Sequence, residues 1–184
     1  MNFGNLEEQL LIKNSVLGNE NSFALLVKIY RKRLYSYFMK NCFNRSAADD
    51  LFQETIFKVW KNLDKYNEQN KFSSWLFSIA HNVLIDWFRK NKNNPVNNNL
   101  DEMMIESNYN LIENIETKEL SQIINKKIDL LSTKQKRVFL LRQHSGMTFK
   151  EISELTGDSI NTVLSHMNYA VKKIRNSLKE ENAI

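Results

Sequence analysis

The sequence predicts an all-α protein of two small helical domains joined by a flexible, acidic, Asn-rich linker, and three observations carry that prediction. Its 184 residues include only 4 Gly and 1 Pro, so few positions break a helix. Apolar residues recur at helical spacing along nearly the whole length, and no stretch alternates as a half-buried strand would. Residues 91–116 depart from that pattern: the run is rich in Asn, holds Pro95, and carries five acids against one lysine. Its flanks are basic, with thirteen cations against nine acids over 1–90 and twelve against seven over 117–184. Two basic domains on an acidic tether fit a protein whose domains hold nucleic acid while the tether avoids it.

Composition also excludes several classes. The single Cys42 has no partner for an internal disulfide, and His81, His144 and His166 are scattered, so no metal site is expected. A reduced, cytoplasmic protein follows from that cysteine usage. The N-terminus offers acids at Glu7 and Glu8 and a brief apolar run, Leu10 to Ile12, which is too short for a signal peptide or a membrane span. There is no Gly-rich phosphate loop and no nucleophile beside a base, so neither an enzyme nor a cofactor is expected.

In chain order, Leu6 to Leu17 predicts a short helix, and Asn19 to Ser22 supply the turn and N-cap of a longer one running through Phe43. Within it Arg31, Lys32 and Arg33 sit among Tyr30, Tyr35 and Tyr37; on general grounds this is a solvated face with tyrosines partly in the core. Ser46 is placed to cap the next helix, with Asp49 completing a capping-box-like start and favouring the helix dipole. On that helix, Ala48 to Leu63, an apolar arc is formed by Ala48, Leu51, Phe52, Ile56, Val59 and Leu63. Asp50, Gln53, Glu54 and Lys61 lie opposite, and Phe57 falls among them. That ring is either an isolated exposed hydrophobe or an aromatic anchor ringed by carboxylates that select a basic partner. The following helix, Ser73 to Lys90, is apolar nearly all round, which for a segment this short means burial in a bundle. A narrow stripe of Ser74, Ser78, His81, Asn82 and Arg89 breaks it, with Trp75 at its edge and Lys71 upstream. Such side chains suit base edges and unstacked bases.

Asp49 to Trp60, DDLFQETIFKVW, followed by Phe72 to Lys90, FSSWLFSIAHNVLIDWFRK, resembles the core of bacterial RNA polymerase sigma factors of the extracytoplasmic-function (ECF) type, in the sigma-70 family. The resemblance implies that Asp49, Asp50, Gln53, Glu54, Phe57 and Trp60 dock on core RNA polymerase, chiefly the clamp of its β′ subunit, with β contacts elsewhere. It further implies that Lys71, Ser74, Trp75, Ser78, His81, Asn82 and Arg89 recognise and open the minus-ten promoter element. The tether would then thread through the polymerase as a phosphate mimic, although its composition suits a merely soluble tether equally.

After the tether, Thr117 to Leu131 predicts a helix, Ser132 with Gln135 opens a second that ends at Gly146, and Thr148 with Glu151 opens a third. Phe149, Ile152 and Leu155 point inward on it. Gly157, with Asp158 and Ser159 as N-cap candidates, leads into Ile160 to Leu178, the order of a helix-turn-helix. This last helix buries Ile160, Val163, Met167, Ala170, Val171, Ile174 and Leu178 and turns Asn161, Thr162, Ser165, Tyr169, Lys172, Lys173 and Asn176 outward. Leu131 to Leu178 again resembles the sigma family, whose C-terminal domain reads the minus-thirty-five element. By that resemblance Ser159, Asn161, Thr162, Ser165, His166, Tyr169, Lys172 and Lys173 are DNA contacts. Leu164 and His166 stand where the family often has basic residues, which weakens phosphate attraction or shifts base preference.

The domains expected are therefore 1–90 for polymerase docking and minus-ten melting, 91–116 as linker, and 117–184 for minus-thirty-five recognition. The partners implied are core polymerase, promoter DNA and an anti-sigma factor, with no membrane insertion. A stand-alone helix-turn-helix regulator is the alternative, but it leaves the acidic-aromatic face and the polar stripe of the first domain without a purpose.

Overall fold

The computed structural model describes residues 3–67, 71–91 and 124–181, with side chains over 6–67, 71–91 and 124–176. The chain divides into two units, Met1–Asp101 and Glu102–Ile184. All regular structure among the described residues is helical. The first unit holds α1 (Phe3–Val16), α2 (Glu20–Cys42), α3 (Arg45–Lys61), a 3-10 turn (Leu63–Lys65) and α4 (Phe72–Asn91). The second holds the helical residues 124–129, here α5, then α6 (Thr133–Ser145), α7 (Phe149–Thr156) and α8 (Ile160–Glu181). Apart from Asn91, the expected linker lies outside the described residues, as does the first part of the helix expected from Thr117.

Helix α2 is the axis of the first unit, because α1, α3 and α4 all pack on it. Leu26, Leu34, Tyr37 and Phe38 of α2 are buried, as are Ile12, Leu51, Val59, Leu76, Phe77 and Leu84 elsewhere in this unit. Each such apolar side chain contributes about 1.5–3 kcal/mol on leaving water. The Asn19 side chain caps α2 by accepting from Ser22 N at 2.9 Å. Phe43 ends it in the left-handed region, φ 50°, and the chain turns at once into α3. The α3 cap is Asn44, whose Oδ1 accepts from Ala47 N at 2.9 Å, and not the expected Ser46, which lies inside the helix. Because α3 begins at Arg45, Asp49 falls beyond the first turn, so the dipole argument for it does not apply.

Tyr30, Tyr35 and Tyr37 are all buried. The Tyr30 hydroxyl donates to Glu8 and ties α1 to α2; burial first, then that carboxylate, push its pKa up. The Arg33 guanidinium lies over the rings of Tyr30, at 5.3 Å, and Phe77, at 5.8 Å, while Arg31 lies over Phe52 at 6.0 Å. The basic cluster is thus divided between two flanks of α2 and is not one solvated face.

In the second unit both expected start signals operate. Gln135 Oε1 accepts from Ser132 N at 3.3 Å, and Glu151 Oε2 accepts from Thr148 N at 2.6 Å while Thr148 Oγ1 accepts from Glu151 N at 3.2 Å. Gly146 and Gly157 end α6 and α7 at φ 72° and 74°, where a side chain would be strained. Helices α6 and α7 pack on α8 around Val138, Leu141, Met147, Ile152, Val163 and Ala170. Phe149 and Leu155 are half-buried. Ile160, expected in the core, is 46 % exposed: it sits at the start of α8, immediately past the turn from α7. The side chain of Leu178 lies outside the described residues. Among the described residues no helix is long and apolar enough to cross a membrane.

Candidate functional site

Three helical faces carry the side chains singled out in the sequence. The first is the outer face of α3, which owes its existence to the burial of Ala48, Leu51, Thr55 and Val59 on the other side. Thr55 reaches the core because its hydroxyl donates to Leu51 O at 2.7 Å, so its polar atom is satisfied within the helix. Asp49, Asp50, Gln53 and Glu54 are exposed, and Phe57 is 65 % exposed among them. Glu54 pairs with Lys58 Nζ at 2.8 Å, so part of its charge is already answered inside α3. Trp60 belongs to the same edge, where it packs on Phe23 of α2 with ring centroids 4.7 Å apart. The result is an aromatic rim flanked by carboxylates.

The second face is on α4, and here the expected stripe is corrected. Lys71, Asn82 and Arg89 are exposed, but Ser74 and His81 are buried, so the polar residues do not form one accessible line. His81 is 3 % exposed and shares a hydrogen bond, Nδ1 to Oη at 3.0 Å, with the buried Tyr37 of α2. Ser78 donates to Ser74 O at 2.8 Å, while Ser74 Oγ is buried without a hydrogen-bond partner among the described residues. Arg89 lies 3.5 Å from Asp86. Trp75 is half-buried against Tyr66, at 5.3 Å, and Phe72, at 5.6 Å. Tyr66 is a member of this cluster that sequence reasoning missed; an aromatic shortly upstream of the second matched run was the available signal.

On α8, Ser159 acts as the cap, its Oγ accepting from Thr162 N at 3.1 Å and lying 2.8 Å from Thr162 Oγ1. Asn161, Ser165 and Lys172 are exposed, and Tyr169 is 63 % exposed. His166 is half-buried, with Nε2 buried and without a hydrogen-bond partner among the described residues. Lys173 is not simply an outward cation: its Nζ donates to Leu130 O at 2.6 Å and so ties α8 to the end of α5. Among the described residues no three His, Cys, Asp or Glu side chains gather as metal ligands.

Two family models match, Sigma-70 region 2 over residues 26–94 and Sigma-70, region 4 over residues 121–174. The chain is 28 % identical over 181 residues to the ECF RNA polymerase sigma factor SigW of Bacillus subtilis (strain 168), an alignment covering 92 % of this chain and 95 % of that one. It is 25 % identical over 183 residues to the ECF RNA polymerase sigma-E factor of Escherichia coli (strain K12), covering 95 % of each. Two solved structures share the fold, each with a TM-score of 0.62. One is CnrH in complex with the cytosolic domain of CnrY, 21 % identical, covering 95 % of this chain and 98 % of that one. The other is the sigma factor RpoE in complex with the anti-sigma factor NepR from Bartonella quintana, 22 % identical, covering 85 % and 96 %.

Proposed function

We propose a division of labour for a chain that belongs to the sigma-70 family of RNA polymerase sigma factors, in its ECF group: the first unit holds core polymerase and opens the promoter, and the second reads the upstream element. Members of this family direct promoter recognition and are not catalysts; polymerase performs the chemistry. The observation that carries the assignment of roles is Phe57, a large aromatic side chain exposed among Asp50, Gln53 and Glu54 in the segment matched by region 2. A ring with carboxylates around it suits a basic, grooved partner, the ring supplying affinity and the acids orientation. Asp49 and Trp60 extend that face. On α4, Lys71, Trp75, Ser78, Asn82 and Arg89 are the promoter-facing candidates, with Ser74 and His81 behind them. On α8, Asn161, Thr162 and Ser165 near the N-terminus are the base readers, with His166, Tyr169 and Lys172 along the groove. Ser159 and Lys173 hold that helix as well as bordering the DNA. The linker and the domain bounds of 1–90, 91–116 and 117–184 belong to the same proposal, as does a cytoplasmic location.

An anti-sigma factor is proposed as regulator, by analogy with the solved sigma factor RpoE in complex with the anti-sigma factor NepR. The deciding experiment is transcription with core polymerase and the purified chain on DNA selected from a randomised library. Stable association with core and sequence-dependent open complexes are the expected outcome. Specific binding of the free chain to DNA, with no association with core, favours a stand-alone helix-turn-helix regulator instead.

A further inference from the structure

Two large apolar side chains at the start of α8 remain partly in water: Ile160 is 46 % exposed and Leu164 36 %. They stand one helical turn apart, about 40° round the axis, and so lie one above the other on the same flank. The buried side of α8 runs through Val163, Ala170 and Ile174. Leu164 is turned about 100° away from Val163. Continuing round the helix in the same direction, Asn168, Asn161, Lys172 and Ser165 follow, all of them exposed. The apolar pair therefore borders the polar side chains assigned above to base reading and does not lie behind them.

What such a pair can meet in DNA is narrowly defined. Phosphate offers an apolar side chain nothing and loses water to it. The base-pair edges in the major groove are hydrogen-bonding groups with one exception, the 5-methyl of thymine. The first turns of the second helix in a helix-turn-helix are the part that reaches those edges, and Ile160 and Leu164 occupy those turns. Their polar neighbours suit the same base pair. An A·T pair shows adenine N6 and N7, which an Asn amide can bridge, beside the thymine methyl, and Asn161 and Asn168 stand three and four positions from Leu164.

We propose that Ile160 and Leu164 are specificity-determining residues that pack on thymine 5-methyl groups at A·T pairs of the upstream element, while the neighbouring Asn161 and Asn168 meet adenine. This rests on reading α8 as the helix that enters the major groove. Removing one methyl group from water against these side chains raises affinity on the order of fourfold.

The test uses holoenzyme reconstituted from core polymerase and the full-length chain, on a promoter that the wild-type holoenzyme selects from a randomised library. Each thymine of the upstream element is replaced in turn by deoxyuridine, which lacks only the 5-methyl group. One or more replacements are expected to weaken binding by wild type on the order of fourfold, and to leave Leu164→Ala or Ile160→Ala unaffected, because the side chain that met the methyl is gone. Leu164→Ala is also expected to keep the wild-type salt slope, since it removes no phosphate contact. Deoxyuridine leaves the protein unchanged, so the wild-type series decides even where a variant does not fold. An upstream element without thymine, or one whose deoxyuridine forms all bind as tightly as the parent, overturns the proposal, as does an equal loss in wild type and both variants. Weaker association of Leu164→Ala with core in the absence of DNA overturns it as well, by assigning the pair to a polymerase surface. Failure of the wild-type holoenzyme to select any upstream sequence would instead sink the reading of α8.

Discussion

Phe57 is the residue on which the polymerase-docking proposal turns, because 65 % of its surface remains in water on a helix whose other face is fully used in the core. Truncating a central aromatic anchor costs about 2 kcal/mol or more, roughly thirtyfold in affinity, whereas a rim charge mainly alters salt dependence. Phe57→Ala is therefore expected to bind core polymerase at least tenfold more weakly than Lys61→Ala, with an unchanged helical spectrum. Titration of labelled core would decide it, and equal affinities for Phe57→Ala and wild type would remove the anchor. Lys172 and Lys173 show how neighbouring like residues part ways. Lys172 is exposed and free to meet phosphate, so Lys172→Ala should weaken binding to all upstream sequences and lower the salt slope by about one unit. Lys173 donates to Leu130 O, and the expected result for Lys173→Ala is a lowered melting temperature, reflecting a loss below the roughly 1.5–3 kcal/mol of a charged hydrogen bond because solvent screens this exposed site. A wild-type melting curve together with a lowered salt slope for Lys173→Ala would return that lysine to the DNA.

At the scale of elements, helix ends are the sharpest test of how sequence becomes structure. Thr148 with Glu151, and Asn19 ahead of Ser22, were readable because each cap residue directly precedes its apolar run. The start of α3 was not, because Ser46 satisfies the same pattern and only the left-handed Phe43 shows that the chain has already turned by Asn44. Asn44→Ala should accordingly cost about 1 kcal/mol in thermal unfolding, while Ser46→Ala, inside the helix, should be neutral or slightly stabilising. The reverse order of effects would restore Ser46 as the cap. The faces of α3 and α8 were legible for a related reason: each has one strongly apolar side, so Phe57, Asn161 and Ser165 had to point away from it. On α4 the buried side also takes in Ser74 and His81, and His81 meets a hydroxyl 44 positions earlier in the chain, which no local pattern reveals. Lys173 and Leu130 are likewise 43 positions apart. Short-range signals located the elements; the long-range polar bonds that decide which side chains remain available were beyond them.

For the whole molecule the argument is electrostatic. The +5 net charge of the chain is unevenly distributed, with basic stretches over 1–90 and 117–184 on either side of 91–116, where Asp101, Glu102, Glu106, Glu113 and Glu116 face a single Lys92 in the count. A uniformly basic chain of this size would hold any DNA through phosphate contacts, and that sequence-independent affinity would compete with promoter search. An acidic segment between two basic ones limits it by repelling the same phosphates. Replacing those five acids with Asn and Gln should raise the affinity of the free chain for random duplex several-fold at low salt and steepen its salt dependence. Under the soluble-tether reading, nothing else changes. Under the phosphate-mimic reading, the neutralised chain also initiates poorly once bound to core, because the acids stand where nucleic acid will pass. Binding to random DNA and transcription by the reconstituted holoenzyme, measured on the same variant across a salt series, separate these outcomes. Unchanged random-DNA affinity would show that the tether does not restrain the basic units, and normal transcription with raised random-DNA affinity would leave repulsion of stray DNA as its whole electrostatic role.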